Sequence, residues 1–381
     1  MTMHDPYRRP LSREVPPSST MYEQPNSKMT IRLGELFCGP GGLGMGAKLA
    51  GVAANVRVVH QWANDIDSFA CKTYQRNVAD SRTLVIPGDV SKLNVESLPP
   101  IDGLLFGFPC NDFSLVGENQ GLEGKFGNLY KHGVDVLNKH EPLFFVAENV
   151  SGIKSSNSGE AFKQILGELR TAGSNGYNLI VHQYEFQYYG VPQNRKRVIV
   201  VGFRSDYLAG KSYQPPAPSN HIKTARQALN KIPPSAPNHE ITRLSEAVET
   251  RLRFIPPGGN AWSQAIPEEF RLNVKGAKLS NIYKRLDPDK PAYTVTGSGG
   301  GGTHIYHWDE DRALTNRERA RLQTFPDNFE FMGGRGAVRK QIGMAVPVIG
   351  AKSIMTSIFL HIREVKYPSI EPNLGAIPAN A

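Results

Sequence analysis

Residues 30–65 read TIRLGELFCGPGGLGMGAKLAGVAANVRVVHQWAND, and this stretch decides the fold class. Thr30–Phe37 has the apolar content of a strand. Gly39, Gly41 and Gly44 then satisfy G-x-G-x-x-G, and the residues from Gly44 onward read as a helix opening on glycine. A second strand, Val56–Trp62, runs on into Ala-Asn-Asp. Glycines between strand and helix let the backbone approach a ligand closely. Asp65 stands where a carboxylate meets a ribose hydroxyl pair. Such a glycine loop alone is also compatible with a tight turn that holds no ligand. Strand, loop, helix, strand and acid in this order predict an α/β sheet holding a nucleoside-bearing cofactor.

The chain repeats this rhythm. A helix over Asp67–Asn77, with Cys71 on its core side, leads to a strand at Thr83–Ile86 and a turn carrying Asp89. The fourth strand opens Leu104–Ser114, LLFGFPCNDFS, where Gly107 and Pro109 break the apolar run just before Cys110. A thiol on a stiff turn at a strand end suits a nucleophile; a small buried hydrophobe is the plainer alternative. The polar, glycine-rich residues after Ser114 predict a mobile loop closing on substrate. The fifth strand, Pro142–Ala147, ends in Glu148-Asn149-Val150. A carboxylate ending an apolar strand is placed to carry a proton. Further on, Arg195 and Arg197 point to one face of an extended chain, a pairing suited to phosphate or carboxylate.

The 381 residues carry a net charge of +9, which favours an anionic partner, nucleic acid first. Residues 203–284 hold twelve Lys and Arg against six Asp and Glu, with aromatic residues interspersed. That segment is read as a loop-rich module contacting nucleic acid. Three cysteines and no Cys/His cluster leave neither a disulfide framework nor a metal site. No apolar run of membrane-spanning length and no signal-peptide core is legible, so a cytoplasmic protein with no membrane partner is expected. Thr315 and Glu318 form a capping box before a helix, and a long apolar helix covers Ile349–Val365. The expected division is a disordered tail at 1–28, a catalytic and cofactor domain at 29–203 and a small domain at 204–333. A C-terminal segment at 334–365 returns to the catalytic domain, and 366–381 is a tail.

In order, the blocks ELFCGPGGLG, AND, GDV, GFPCNDFS, ENV, QNRKR, TNRERARLQTFP and QIGMAVP resemble the cytosine carbon-5 DNA methyltransferases of bacterial modification systems. The likeness spans about residues 30–362 and omits only about 204–284. It implies a Rossmann-like, S-adenosylmethionine-dependent methyltransferase: a mixed sheet with helices on both faces, beside a smaller target-recognition domain. It implies methyl transfer from S-adenosyl-L-methionine to carbon 5 of a flipped-out cytosine in double-stranded DNA. By that resemblance Cys110 is the nucleophile, Glu148 serves ring nitrogen 3, and Arg195 and Arg197 fix the base, a phosphate and the carboxylate. Cofactor contacts carry over to Phe37, Gly39, Gly42, Leu43, Asp65, Ile66, Asp89, Pro109, Leu129 and Val346. The resemblance further implies a monomer that protects host DNA from a cognate restriction endonuclease. Three positions depart from the family pattern: Met344 for Asn, Phe126 for Arg and Asp65 for Glu. A tRNA cytosine methyltransferase shares the catalytic blocks, and a nicotinamide dehydrogenase shares only the glycine loop.

Overall fold

The computed structural model describes residues 29–108, 128–154, 159–207, 212–273, 279–297, 299 and 302–379. The expected N-terminal tail, the loop after Cys110, and Pro109, Cys110 and Phe126 themselves lie outside the described residues.

The first half alternates strand and helix: β1 (Thr30–Leu36), α1 (Gly42–Ala54), β2 (Arg57–Asp65), α2 (Ser68–Asn77), β3 (Leu84–Pro87), β4 (Gly103–Phe106), α3 (Tyr130–His140), β5 (Phe144–Val150) and α4 (Glu160–Arg170). Then come β6 (Tyr177–Glu185), β7 (Gln193–Asn194), β8 (Lys196–Arg204), α5 (Ala225–Leu229), α6 (Glu246–Arg253) and β9 (Ala292–Tyr293). The chain closes with α7 (Asn316–Leu322), α8 (Arg335–Met344), α9 (Val348–Ile362) and β10 (Ala376–Ile377).

Eight strands form one sheet in the order β10-β6-β8-β5-β4-β1-β2-β3. The run from β5 to β3 is parallel, whereas β8 lies antiparallel to both β5 and β6. The sheet is therefore mixed, as expected. From β1 the chain moves outward to β2 and β3, then returns to β4 on the other side of β1. That reversal opens a crevice at the carboxyl ends of β1 and β4, where open α/β sheets take their ligands.

Alternation along the strands explains the layers. Phe144 and Val146 of β5 face a core with α1 and α9, shared with Leu33, Leu105, Val201, Ile358 and Phe359. Phe145 and Ala147 face the opposite core with α3 and α4, beside Phe106, Leu137 and Ile165. Both faces are thus covered by helices. The fit between α1 and α9 is close: a Cβ on Gly46 would lie 2.4 Å from Ala351 Cβ. Residues 335–362 are apolar enough by composition to cross a membrane, but the most apolar window is 72% buried inside the fold. The chain also leaves the helix between Met344 and Val348, so α9 reads as a core helix.

A third cluster joins Met45, Ala63, Tyr74 and Val78 of the sheet layer to Leu286, Val295, Phe325, Phe329 and Ile342. A satellite core around Leu252, Ile255, Ile266, Tyr283 and Tyr306 lies within the basic segment and its neighbours. The expected boundary at 203/204 falls within chain that still packs on the sheet: Tyr213 joins the α1/α9 core and bonds Ser357 at 2.8 Å. Residues 366–379 are more than a tail. Ser369 bridges to Pro216, and β10 pairs antiparallel with β6 as the sheet's edge strand. Short, glycine-flanked Ala376–Ile377 gave no strand signal in the sequence, since its pairing is supplied by β6 rather than by its own periodicity.

Candidate active site

The site is built from the turns that leave the parallel strands. After β1, Phe37 adopts φ 54° and Gly39 φ 53°. A left-handed phenylalanine is uncommon and is held by its surroundings. Gly39 N–H donates to Asp65 Oδ2 at 2.8 Å, and Asp67 N–H donates to Asp65 Oδ1 at 2.8 Å. The carboxylate after β2 is thereby fixed against the glycine loop after β1. Burial raises its pKa, opposed by those two N–H donors. Gly42 is packed against Val346, whose carbonyl oxygen would lie 2.3 Å from an added Cβ. Leu43 and Val346 are buried. The neighbouring turn after β3 carries Asp89, which accepts from Ser91 N–H at 3.0 Å; that bond holds its carboxyl below the usual range. Leu129 stands at the start of α3.

These residues fit an adenosine-bearing group. Nothing lies within 4 Å of a Cβ built on Gly39 or Gly88, so both turns border open space. Between them stand the Asp65 carboxylate and Ile66, an isoleucine 76% exposed. A carboxylate for hydroxyls beside an uncovered apolar side chain is the donor set that a ribose and a flat base require.

Behind the loop lies a buried polar chain that the sequence reading missed. Tyr74 O–H donates to Glu35 Oε2 at 2.9 Å, and the same hydroxyl meets His60 Nδ1 at 3.0 Å. His60 Nε2 has no partner. Burial pushes Glu35 up to about 8 and His60 down to about 3. Gly44 leaves the room: a Cβ there would lie 2.7 Å from Glu35 Oε2.

Glu148 and Arg197 lie on the other side of β1. Glu148 sits inside β5, two residues before its end, rather than beyond it. Its Oε1 pairs with Arg197 Nε at 2.8 Å, with side-chain exposures of 12% and 14%. Antiparallel pairing sets this up, because Val150 is opposite Arg197 and Glu148 opposite Ile199. Glu148 Oε2 would lie 3.1 Å from a Cβ on Gly107, so the carboxylate rests against the turn leading to Cys110. Asn149 Nδ2–H donates to the Phe108 carbonyl at 3.2 Å. That bond ties the Glu-Asn-Val strand end to the residue two before Cys110. Sequence reasoning gave Asn149 no role; its place beside a strand-end glutamate was the available signal.

Arg195 and Arg197 diverge in surroundings. The Arg195 guanidinium is buried and donates to the carbonyls of Val295, Gly343 and Ala345 at 3.1, 3.3 and 3.1 Å. Burial, then the neighbouring Arg197 charge, pulls its pKa well down. Arg197 instead borders an open cleft of about 480 Å³ with Ser151, Asn194, Lys196, Tyr293 and Thr294. Gln193 completes the junction, donating to Gln323 Oε1 at 3.0 Å and accepting from Val295 N–H at 2.8 Å.

The sequence profile of the C-5 cytosine-specific DNA methylases matches residues 31–360. The chain belongs to that family. This C-5 cytosine methylase is 53% identical to Type II methyltransferase M.BbvI of Brevibacillus brevis over 352 residues, 90% of this chain and 94% of that one. It is 41% identical to Type II methyltransferase M.NgoFVII of Neisseria gonorrhoeae over 334 residues, 85% of each chain. Among solved structures it resembles a protein assigned as a DNA modification methyltransferase encoded within a prophage (E. coli). That likeness has a TM-score of 0.62 and 25% identity, over 86% of this chain and 98% of that one. S. pombe Dnmt2 methyltransferase, at TM-score 0.55 and 17% identity, shares the fold over 87% of this chain and 98% of that one. The methylase is thus a DNA (cytosine-5-)-methyltransferase of the type II restriction-modification kind, with S-adenosylmethionine as methyl donor.

Proposed function

We propose that the chain methylates a cytosine flipped out of double-stranded DNA, through a transient bond between Cys110 Sγ and ring carbon 6. The observation that carries this reading is the Glu148–Arg197 pair. It rests against the turn to Cys110, on the same sheet edge as the glycine loop. Cytosine carbon 5 is a poor nucleophile. Addition of a thiolate at carbon 6 pushes electron density onto carbon 5. Glu148 holds a proton or hydrogen bond at ring nitrogen 3 and so stabilises the charge that develops there. Arg197 fixes the Glu148 carboxylate and faces the cleft that admits the base. Arg195, whose Nη1 and Nη2 donate to three carbonyls, is a positioning residue in this reading; it locks β8 to the segment around Val346. S-adenosylmethionine supplies an electrophilic methyl group when bound, and Phe37, Gly39, Gly42, Leu43, Asp65, Ile66, Asp89, Pro109, Leu129 and Val346 would hold it. Loss of the carbon 5 proton then expels Cys110 as thiolate. A stacked base is out of reach of this chemistry, which is why the cytosine leaves the helix.

The relatives' type II names support a biological role in shielding host DNA from a cognate endonuclease, with a monomer working in the cytoplasm where that DNA lies. The deciding experiment is trapping. Duplex DNA with 5-fluorocytosine at the target position, incubated with protein and cofactor, is expected to yield a covalent adduct. Peptide mapping should place it on Cys110. Absence of an adduct, with normal methylation of unmodified duplex, would overturn the covalent mechanism.

A further inference from the structure

Helix α8 runs along the rim of the cofactor pocket and meets it at three levels. Just before its first turn, a Cβ on Gly333 would lie 3.0 Å from the Phe69 ring of α2. Within the helix, Lys340 Nζ lies 3.8 Å from Asp67 Oδ2. Just past its end, Val346 packs on Gly42 of the glycine loop. The Lys340 backbone is itself held in place, since a Cβ on Gly297 would lie 3.1 Å from Lys340 Cα. The Lys340 side chain is 59% exposed and that of Asp67 23%, so the ammonium group reaches the rim from solvent.

The turn it reaches is crowded with acids. Asp65 is fixed by the N–H groups of Gly39 and Asp67. Asp67 Oδ1 accepts from Phe69 N–H at 2.9 Å and from Ala70 N–H at 3.3 Å, which leaves Oδ2 to Lys340. Glu35 of β1, Cys38 of the glycine loop and Cys71 of α2 also face Asp65. Burial keeps the protons on Glu35 and Cys38, and Cys71 Sγ–H donates to the Asp65 carbonyl at 3.4 Å. Two carboxylates two residues apart therefore depend on one cation. Among the described residues Lys340 makes the only ion pair to this turn. Burial pushes Asp65 up and the Asp67 charge adds to it, while Lys340 opposes both.

We propose that Lys340 is a positioning residue for cofactor binding: its ammonium group neutralises and anchors the turn that presents Asp65 to the ribose hydroxyls. The proposal rests on Asp65 being the ribose carboxylate. A carboxylate accepts from two hydroxyls only while it is ionised. Lys340 thus acts through the Asp65 turn and touches no part of the cofactor.

The test is calorimetric titration of the full, DNA-free chain with two ligands. One is S-adenosylhomocysteine. The other is 5′-methylthioadenosine, which keeps the base and ribose and lacks the amino-acid end. Wild type, Lys340→Met and Lys340→Arg are compared from about pH 5 to pH 8. Lys340→Met should bind both ligands about two- to fivefold more weakly at neutral pH, the scale of a partly exposed ion pair. On acidification its affinity should start to fall at a higher pH than that of the wild type, because Asp65 takes up its proton earlier. Lys340→Arg should restore both affinities and the pH profile. Unchanged affinity and pH profile in Lys340→Met would overturn the proposal. So would a loss confined to S-adenosylhomocysteine, which would place the ammonium group on the amino-acid end. Failure of Lys340→Arg to restore binding would overturn it as well, since charge would then not be the cause. Asp65→Asn separates the two readings. Unaltered affinity there would overturn the ribose reading of Asp65, and the proposal with it. A strong loss there beside a silent Lys340→Met would overturn the proposal alone.

Discussion

Asn149 follows Glu148 in β5, and its 3.2 Å bond to the Phe108 carbonyl has a cost if cut. Asn149→Ala leaves a buried carbonyl unsatisfied, about 1–3 kcal/mol. The expected outcome is a lower Tm and a fall in turnover larger than any change in DNA affinity. Cys110→Ser should abolish methyl transfer while gel-shift affinity for duplex DNA persists; normal transfer by that variant would remove the nucleophile from Cys110. The Glu35–Tyr74–His60 chain gives a pH signature. Folded Glu35 keeps its proton up to about pH 8, against an ordinary value of 4.5. The folded state therefore holds more protons than the unfolded one across that window, and stability falls as pH rises, by at most about 1.4 kcal/mol per pH unit. His60 acts in the opposite direction. The unfolded chain takes up its proton below 6.5, whereas the folded chain resists until about 3, so stability falls as pH drops through that range. Thermal melts across pH should show both flanks, and Glu35→Gln should flatten the alkaline one alone. At this scale the sequence was most legible for isolated chemistry. Glu148 and Arg197 were recognisable by type, but the Arg195 environment was not. Its carbonyl partners come from residues 100 and 148–150 positions away in the chain.

Elements were readable where periodicity and caps agreed. Thr315 and Glu318 form the expected reciprocal box, with Thr315 N–H donating to Glu318 Oε2 at 2.7 Å and Glu318 N–H donating to Thr315 Oγ1 at 3.2 Å. Asp67 caps α2 through the N–H groups of Phe69 and Ala70. Strand ends were less readable. Apolar content suggested that β5 stops at Ala147, but hydrogen bonding to β8 carries it to Val150, because pairing rather than composition ends a strand. β10 was invisible for the same reason. Its removal is informative: truncation after residue 365 exposes the edge of β6, an unpaired template for other chains. The shortened protein should melt several degrees lower, with roughly 2–4 °C lost per kcal/mol, and should self-associate in light scattering. An unaltered Tm and a monodisperse scattering profile would show that β10 adds nothing.

The whole molecule joins a sheet layer that holds a nucleoside to a basic, loop-rich layer, and the two share a core through Met45, Tyr74, Ala228 and Leu229. Net charge of +9 predicts DNA affinity that falls steeply and linearly in log salt, as counterion release requires. A flat response between about 50 and 200 mM salt would argue against a charged cleft. Fold class was legible because the alternation of strand and helix is local. How the basic segment sits against α1 and α2 was not, since Ala228 or Leu229 carries no mark of its partner.

The partnership of the first and last long helices has an outcome in time. Ala351 seats on Gly46, and the Val346 carbonyl on Gly42, so an early helix is finished by a late one. A ribosome translates some 300 residues after Gly42 before the backing of that first turn exists. Nascent chains arrested before α9 should accordingly be cleaved by protease within α1, and release of the completed polypeptide should switch that protection on.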